Sequence, residues 1–176
     1  MAFEKGTASS HFDLMLKLES FLTSNPDLVS KGQQWEVLRG NTVNPYNSET
    51  SAEKGFSLRR FFVGKGLDKK DNIFVPMAVY QDPQNDVYSL TMYTARTYSS
   101  DKGVADQFTD NNLGSQVCAM PVWSKPIVYW FIANGRRFIV VAKIANRYSS
   151  LYCGFILPSD QTHPTPVSYT HLRAHE

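Results

Sequence analysis

Residues 126–145 read "PIVYWFIANGRRFIVVAKIA", two nearly uninterrupted apolar runs on either side of an Asn-Gly pair. Asn-Gly is a strong hairpin signal because both central residues of a type I′ turn need positive φ. A two-residue turn at Asn134-Gly135 would place Ala133 opposite Arg136, Ile132 opposite Arg137, Phe131 opposite Phe138, Trp130 opposite Ile139 and Tyr129 opposite Val140. Strand alternation then puts Ile127, Tyr129, Phe131, Phe138, Val140 and Ala142 on one face, and Val128, Trp130, Ile132, Ile139 and Val141 on the other. An antiparallel sheet with one wet face alternates apolar with polar residues, and this hairpin does not. It therefore calls for cover on both sides. An N-terminal helix can supply one cover; the other would be further β structure, chain beyond this sequence, or another subunit.

That helix is legible at residues 11–24. Ser10 can cap it, Asp13 lies near the positive end of its dipole, and Asn25-Pro26 ends it. Leu14, Leu18, Phe21 and Leu22 form its apolar stripe, which Phe12, Met15 and Leu16 widen. A short helical turn is expected over Pro26–Ser30. Strand-like patterns follow at 34–40, 56–63, 73–80, 87–97, 127–133, 138–144 and 151–157, separated by turn residues. Residues 1–8 read as a loose leader, 41–55 as an exposed connection, and 99–124 as a long loop with a short helix near Val104–Phe108. The fold class expected is α+β: an N-terminal helix packed on a mostly antiparallel β-sheet with a central Asn-Gly hairpin.

At 176 residues, with 42% apolar and 13% aromatic content, the chain has enough apolar material for one core. The formal charge is +2, from 18 basic and 16 acidic residues, so no global field draws the chain to nucleic acid or an anionic membrane. Its longest apolar runs fall well short of the roughly 20 residues that span a bilayer, and a secretory leader pattern is not seen. Cys118 and Cys153 lack metal or redox spacing, which fits buried thiols in a reducing compartment.

Motifs for chemistry are few. "VGKGLDKK" (63–70) lacks P-loop spacing and reads as a flexible turn. "SLRRFF" (57–62) and "NGRRF" (134–138) pair arginines with aromatics. Arg59, Arg60, Arg136 and Arg137, with Trp123, are the candidate partner-contact residues, as strand-edge charges or subunit salt bridges. His11, His163, His171 and His175 do not make a zinc pattern. Neither a nucleophile elbow nor a carboxylate pair stands out. The expectation is a protein that is not an enzyme, with no cofactor and no metal.

After Pro158 the strand periodicity gives way to "SDQTHPTPVSYTHLRAHE". Its last ten residues, "VSYTHLRAHE", are similar to translated sequencing-adapter DNA. The expected organisation is a single α+β domain over 1–158, the N-terminal part of a longer protein, followed by a disordered or artefactual tail over 159–176.

Three blocks together carry a resemblance. "HFDLMLKLESFLTSNPDLVSKGQQWEVLR" (11–39), "KGLDKKDNIFVPMAVYQDPQNDVYSLTMYTARTY" (65–98) and "PVWSKPIVYWFIANGRRFIVVAKIANRYSSLYCGFILP" (121–158) resemble a family of uncharacterised virion structural proteins of tailed bacteriophages. "YWFIANGRRFIVVAKI" is the most specific part. The chain departs from the family after "LP", where the family continues into a Tyr-Pro-rich segment. The resemblance implies a tail-associated particle component, assembled in the bacterial host cytoplasm. Other virion proteins and copies of the chain itself would be its partners, without a membrane, and nucleic acid is disfavoured. The alternative reading is a host-surface or glycan-binding module of the particle, with Tyr93, Tyr98 and Trp123 as an exposed stacking platform.

Overall fold

The computed structural model describes residues 1–42, 56–102, 115–156 and 167–175. These form two five-stranded antiparallel sheets and an N-terminal helical segment, where the sequence suggested a single sheet. The elements are β1 (Ala2–Ala8), α1 (His11–Ser24), α2 (Pro26–Val29), β2 (Glu36–Thr42), β3 (Phe56–Gly64), β4 (Ile73–Asp82), β5 (Val87–Met92), β6 (Cys118–Pro121), β7 (Ile127–Asn134), β8 (Arg137–Ile144), β9 (Arg147–Ile156) and β10 (Val167–His175). Sheet A has the order β1-β7-β8-β9-β10, and sheet B is the meander β2-β3-β4-β5-β6. The α+β class therefore holds.

Helix α1 has the punctuation its sequence announces. The Ser10 hydroxyl accepts from Asp13 N–H at 3.2 Å, and Asn25 closes the helix while its side chain caps α2. Leu14, Met15, Leu18, Phe21 and Leu22 are buried. They join one contiguous core with Tyr129, Phe131, Phe138 and Val140 of sheet A and with Leu58, Phe62, Val75, Met77, Leu90 and Met120 of sheet B. Phe21 meets Phe131 at 5.5 Å between ring centroids.

Three expectations about the strands change. Residues 1–8 are not a leader: β1 pairs with β7 from Ala2↔Ala133 to Ala8↔Ile127. The segment lacks large inward residues because its inward face lies against α1 and Tyr129, where Ala2, Gly6 and Ala8 leave the needed room. The long loop of 99–124 yields strand β6 at Cys118–Pro121, and the run at 87–97 ends as a strand at Met92. The expected helix near 104–108 lies outside the described residues. In the tail, for which the expectation is a disordered or artefactual segment, Val167–His175 pairs backbone to backbone with β9. Its Val, Tyr and Thr content suits a pleated strand, and β9 offers an unpaired edge.

The hairpin register also differs. β7 and β8 pair with Asn134↔Arg137, Ala133↔Phe138 and Phe131↔Val140, so the two connecting residues are Gly135 and Arg136. An Asn-Gly centre would need positive φ there, but positive φ occurs at Gly32, Gly66, Lys69, Asp86, Ala145 and Gly154 and at neither Asn134 nor Gly135. Asn134 is the first residue of the turn instead: its side-chain oxygen accepts from Arg136 N–H (2.9 Å) and Arg137 N–H (3.1 Å). Gly135 serves close approach. Its carbonyl accepts from Gly66 N–H at 2.9 Å, and a Cβ at Gly135 would collide with the Gly66 carbonyl. Because the shift is by two residues, the division of side chains between faces is unchanged.

The sheets meet at Trp35, which is 1% exposed. Its N–H donates to Leu22 O at the end of α1 (2.9 Å), and its indole N–H donates to Asn134 O at the hairpin end (2.9 Å). The ring lies edge-on to Phe138 at 5.1 Å, and it occupies the space where a Cβ on Gly64 of β3 would be. Replacing Trp35 by Ala should cost about 3 to 5 kcal/mol of unfolding free energy. Trp130→Ala, on the opposite face of sheet A, should cost less than about half of that. Urea titrations of both variants check the contrast.

Candidate functional site

Sheet A has one dry face and one open face. Along β7 the buried residues are Ile127, Tyr129, Phe131 and Ala133, and along β8 they are Phe138, Val140 and Ala142. This is the face that α1 and sheet B cover. The alternate residues, Val128, Trp130, Ile132, Ile139 and Val141, are half-buried. They share their face with Phe3, Lys5 and Thr7 of β1 and with Tyr148, Ser150 and Tyr152 of β9. Phe3 is 59% exposed and Tyr148 45%.

The pairing arranges these side chains in rows. Phe3, Ile132, Ile139 and Tyr152 make one; Lys5, Trp130, Val141 and Ser150 the next; Thr7, Val128, Lys143 and Tyr148 the third. Four strands at about 4.8 Å spacing and rows about 6.8 Å apart give a patch of roughly 400 Å² in plan. That area, which includes Lys5, Thr7, Lys143 and Ser150, is of the size of the largest patch on a typical monomer, which is often functional. Cations lie on its aromatics: Lys5 Nζ is 5.6 Å from the Trp130 ring centre, and Lys143 Nζ is 5.8 Å from that of Tyr148. Burial raises the Tyr152 hydroxyl pKa, while its hydrogen bond with Arg137 pulls the other way.

The outward face of sheet B is closed by its own chain. After β5, Tyr93 N–H donates to Pro76 O and Ala95 N–H to Phe74 O, and Tyr98 packs on Phe61 at 5.0 Å. The two sheets thus differ in what remains available.

The arginines singled out from sequence are dispersed. Arg59 is 3% exposed, with its guanidinium 5.2 Å from the Phe56 ring centre. Arg60 donates to Glu19 Oε2 of α1 at 2.7 Å and to Arg59 O at 2.9 Å. Arg136 reaches Asp71 Oδ2 in the β3–β4 connection at 3.4 Å. Arg137 is exposed at the end of the open face. Trp123 donates its indole N–H to Pro126 O within its own loop, and its carbonyl accepts from His11 N–H. A platform of Tyr93, Tyr98 and Trp123 is not formed, since Tyr93 is buried and the Tyr98 hydroxyl donates to Leu38 O.

The residues that sequence reading left out of the open face are Phe3, Lys5, Tyr148 and Tyr152. The alternation Phe3-Lys5-Thr7 was present, but without large apolar partners between them it carried no strand signal.

Among the described residues no group of three or more His, Cys, Asp or Glu is placed to hold a metal, and no helix is long and apolar enough to cross a membrane. His11 is buried, shares its Nε2 with Gln81 Oε1 at 3.0 Å and tilts against Tyr88 at 4.7 Å, a packed histidine beneath sheet B. Both cysteines are free thiols, Cys153 buried and Cys118 half-buried.

The chain matches no family model and no curated protein.

Two buried groups give the fold an alkaline limit. Burial, then the hydrogen bond to Glu4 and its charge, raise the Tyr129 pKa well above 10.0. Burial, with Cys118 adding to it, raises the Cys153 pKa above 9.0. Both stay protonated in the fold where the unfolded chain ionises, so their stability contribution is full below about pH 8 and declines as pH rises through the unfolded values of thiol and phenol. Urea midpoints should fall between pH 8 and 11, and Tyr129→Phe should fall less. Cys118 should react first with an aromatic disulfide reagent, and Cys153 only on addition of denaturant.

Proposed function

We propose that this chain is a structural subunit of a tailed-bacteriophage virion, tail-associated, which works by protein–protein assembly and not by catalysis. The observation that carries the assembly reading is the open apolar face of sheet A. Val128, Trp130, Ile132, Ile139 and Val141 form a continuous apolar surface on a sheet whose other face already has its helix and its second sheet. Leaving such a surface to water forfeits roughly 25 cal/mol for each Å² of apolar area that a neighbour could cover. A subunit that is completed in an assembly has this form, and the largest apolar patch of a protein is often its functional one.

The virion context is supported by the resemblance of the three sequence blocks, which coincide with structural units. The first runs from α1 to β2, the second through β4 and β5, and the third from the end of β6 to β9. The hairpin block, the most specific of them, supplies the centre of the open face. The partners are neighbouring virion proteins, with copies of the chain among them, and the location is the virion.

The test is incorporation. Particles from a phage encoding this chain should contain it in fixed stoichiometry by mass spectrometry. An Ile132→Asn, Ile139→Asn variant, changed only on the open face, should fold with wild-type circular dichroism yet be depleted at least about tenfold from particles. Its absence from wild-type particles, or undiminished incorporation of the folded variant, would overturn the reading.

A further inference from the structure

The outward positions of β1, β7, β8 and β9 are the alternate residues from Phe3 to Thr7, 128 to 134, 137 to 143 and 148 to 154. None is an Asp or a Glu, and three are cations. Their placement is marginal: Arg137 and Lys143 stand at the two ends of β8, and Lys5 stands on the edge strand β1. Between them lie Ile132, Ile139 and Val141. The face is an apolar centre with a cationic border.

We propose that this face docks a protein surface of opposite character, an apolar centre edged with carboxylates, contributed by a different chain. The proposal rests on the assembly reading and names the chemistry of the partner. Each border cation is placed by an aromatic residue of the face, Lys5 and Lys143 over the rings of Trp130 and Tyr148 and Arg137 by its hydrogen bond with Tyr152, so the charges are positioned. Carboxylates meeting them would gain ion pairs at a border that the apolar contact partly dries, which fixes orientation and speeds encounter.

The other occupants fit less well. Two copies stacked face to face through β1, β7, β8 and β9 would bring six cations together without a carboxylate at any outward position of these strands. A nucleic-acid strand would find rings at Phe3, Trp130, Tyr148 and Tyr152, but aliphatic Ile132, Ile139 and Val141 lie between them and interrupt a stacking track, and the four strands offer its phosphates three cations. A membrane surface would meet, on β1, β7, β8 and β9, three cations, and among the described residues no amphipathic helix lies on this face.

The test uses the full chain and two soluble amphipathic peptides with the same leucine face, one carrying Glu and the other Lys at its polar positions. By fluorescence anisotropy the Glu peptide should bind at least about tenfold more tightly at low salt, with the preference shrinking as salt rises. Lys5→Glu, Arg137→Glu, Lys143→Glu should invert the preference, and the single variant Lys5→Glu, on an exposed side chain, should narrow it. Equal binding of the two peptides, or none, overturns the proposal. So does displacement of the Glu peptide by oligothymidylate or phosphatidylglycerol vesicles. Sedimentation showing a dimer that Ile139→Asn abolishes also overturns it in favour of a second copy. In each case incorporation into particles still reads the assembly role separately.

Discussion

Trp35 is the contact on which the arrangement of the two sheets depends. It joins four things that are distant in sequence: the last turn of α1 through Leu22, the β7 end through Asn134, the ring of Phe138 on β8, and β3 at Gly64. Each alone is modest, since an indole hydrogen bond contributes on the order of 1 kcal/mol. Together they leave the ring one position. The neighbouring Gly66–Gly135 backbone hydrogen bond and the Arg136–Asp71 pair close the same end of the molecule. The helix is thereby fixed against both sheets, and sheet A has one face committed to the core.

From that commitment follows the character of the other face. Strand alternation cannot make a β7–β8 hairpin apolar on one side only when nearly every residue is apolar, so whatever is not buried inward is presented outward. Sheet B avoids the same exposure because the chain after β5 folds back and sets Tyr98 over Phe61 and Phe74. For sheet A the described chain supplies no such return.

The parts legible in the sequence were those governed by local rules. Ser10 and Asn25 bound α1, and the alternation in β7 and β8 gave the two faces correctly even though the register was displaced by two residues. The register escaped because Asn134 acts through its side chain and Gly135 through a backbone contact with Gly66, nearly seventy positions earlier, and neither leaves a local trace. The arginines escaped for a related reason. A pair such as Arg59 and Arg60 looks alike in sequence, yet alternation buries one beside Phe56 and turns the other toward Glu19. β1 was missed because its inward residues are small.

That smallness also settles the charge of the open face. Gly6 sits opposite Tyr129, and a Cβ there would come within 2.5 Å of the Tyr129 hydroxyl oxygen. Only glycine fits, so β1 cannot slide by one residue along β7 without placing a larger side chain against the ring. In this register Glu4 faces inward and accepts from the Tyr129 hydroxyl at 2.8 Å, while Phe3 and Lys5 face out. A slip of one position would reverse every side chain, burying Lys5 and presenting Glu4 among Trp130 and its neighbours. The carboxylate of β1 is therefore withdrawn from the open face by the same glycine-tyrosine contact that fixes the edge strand, and the outward positions of β1, β7, β8 and β9 carry cations without an acid.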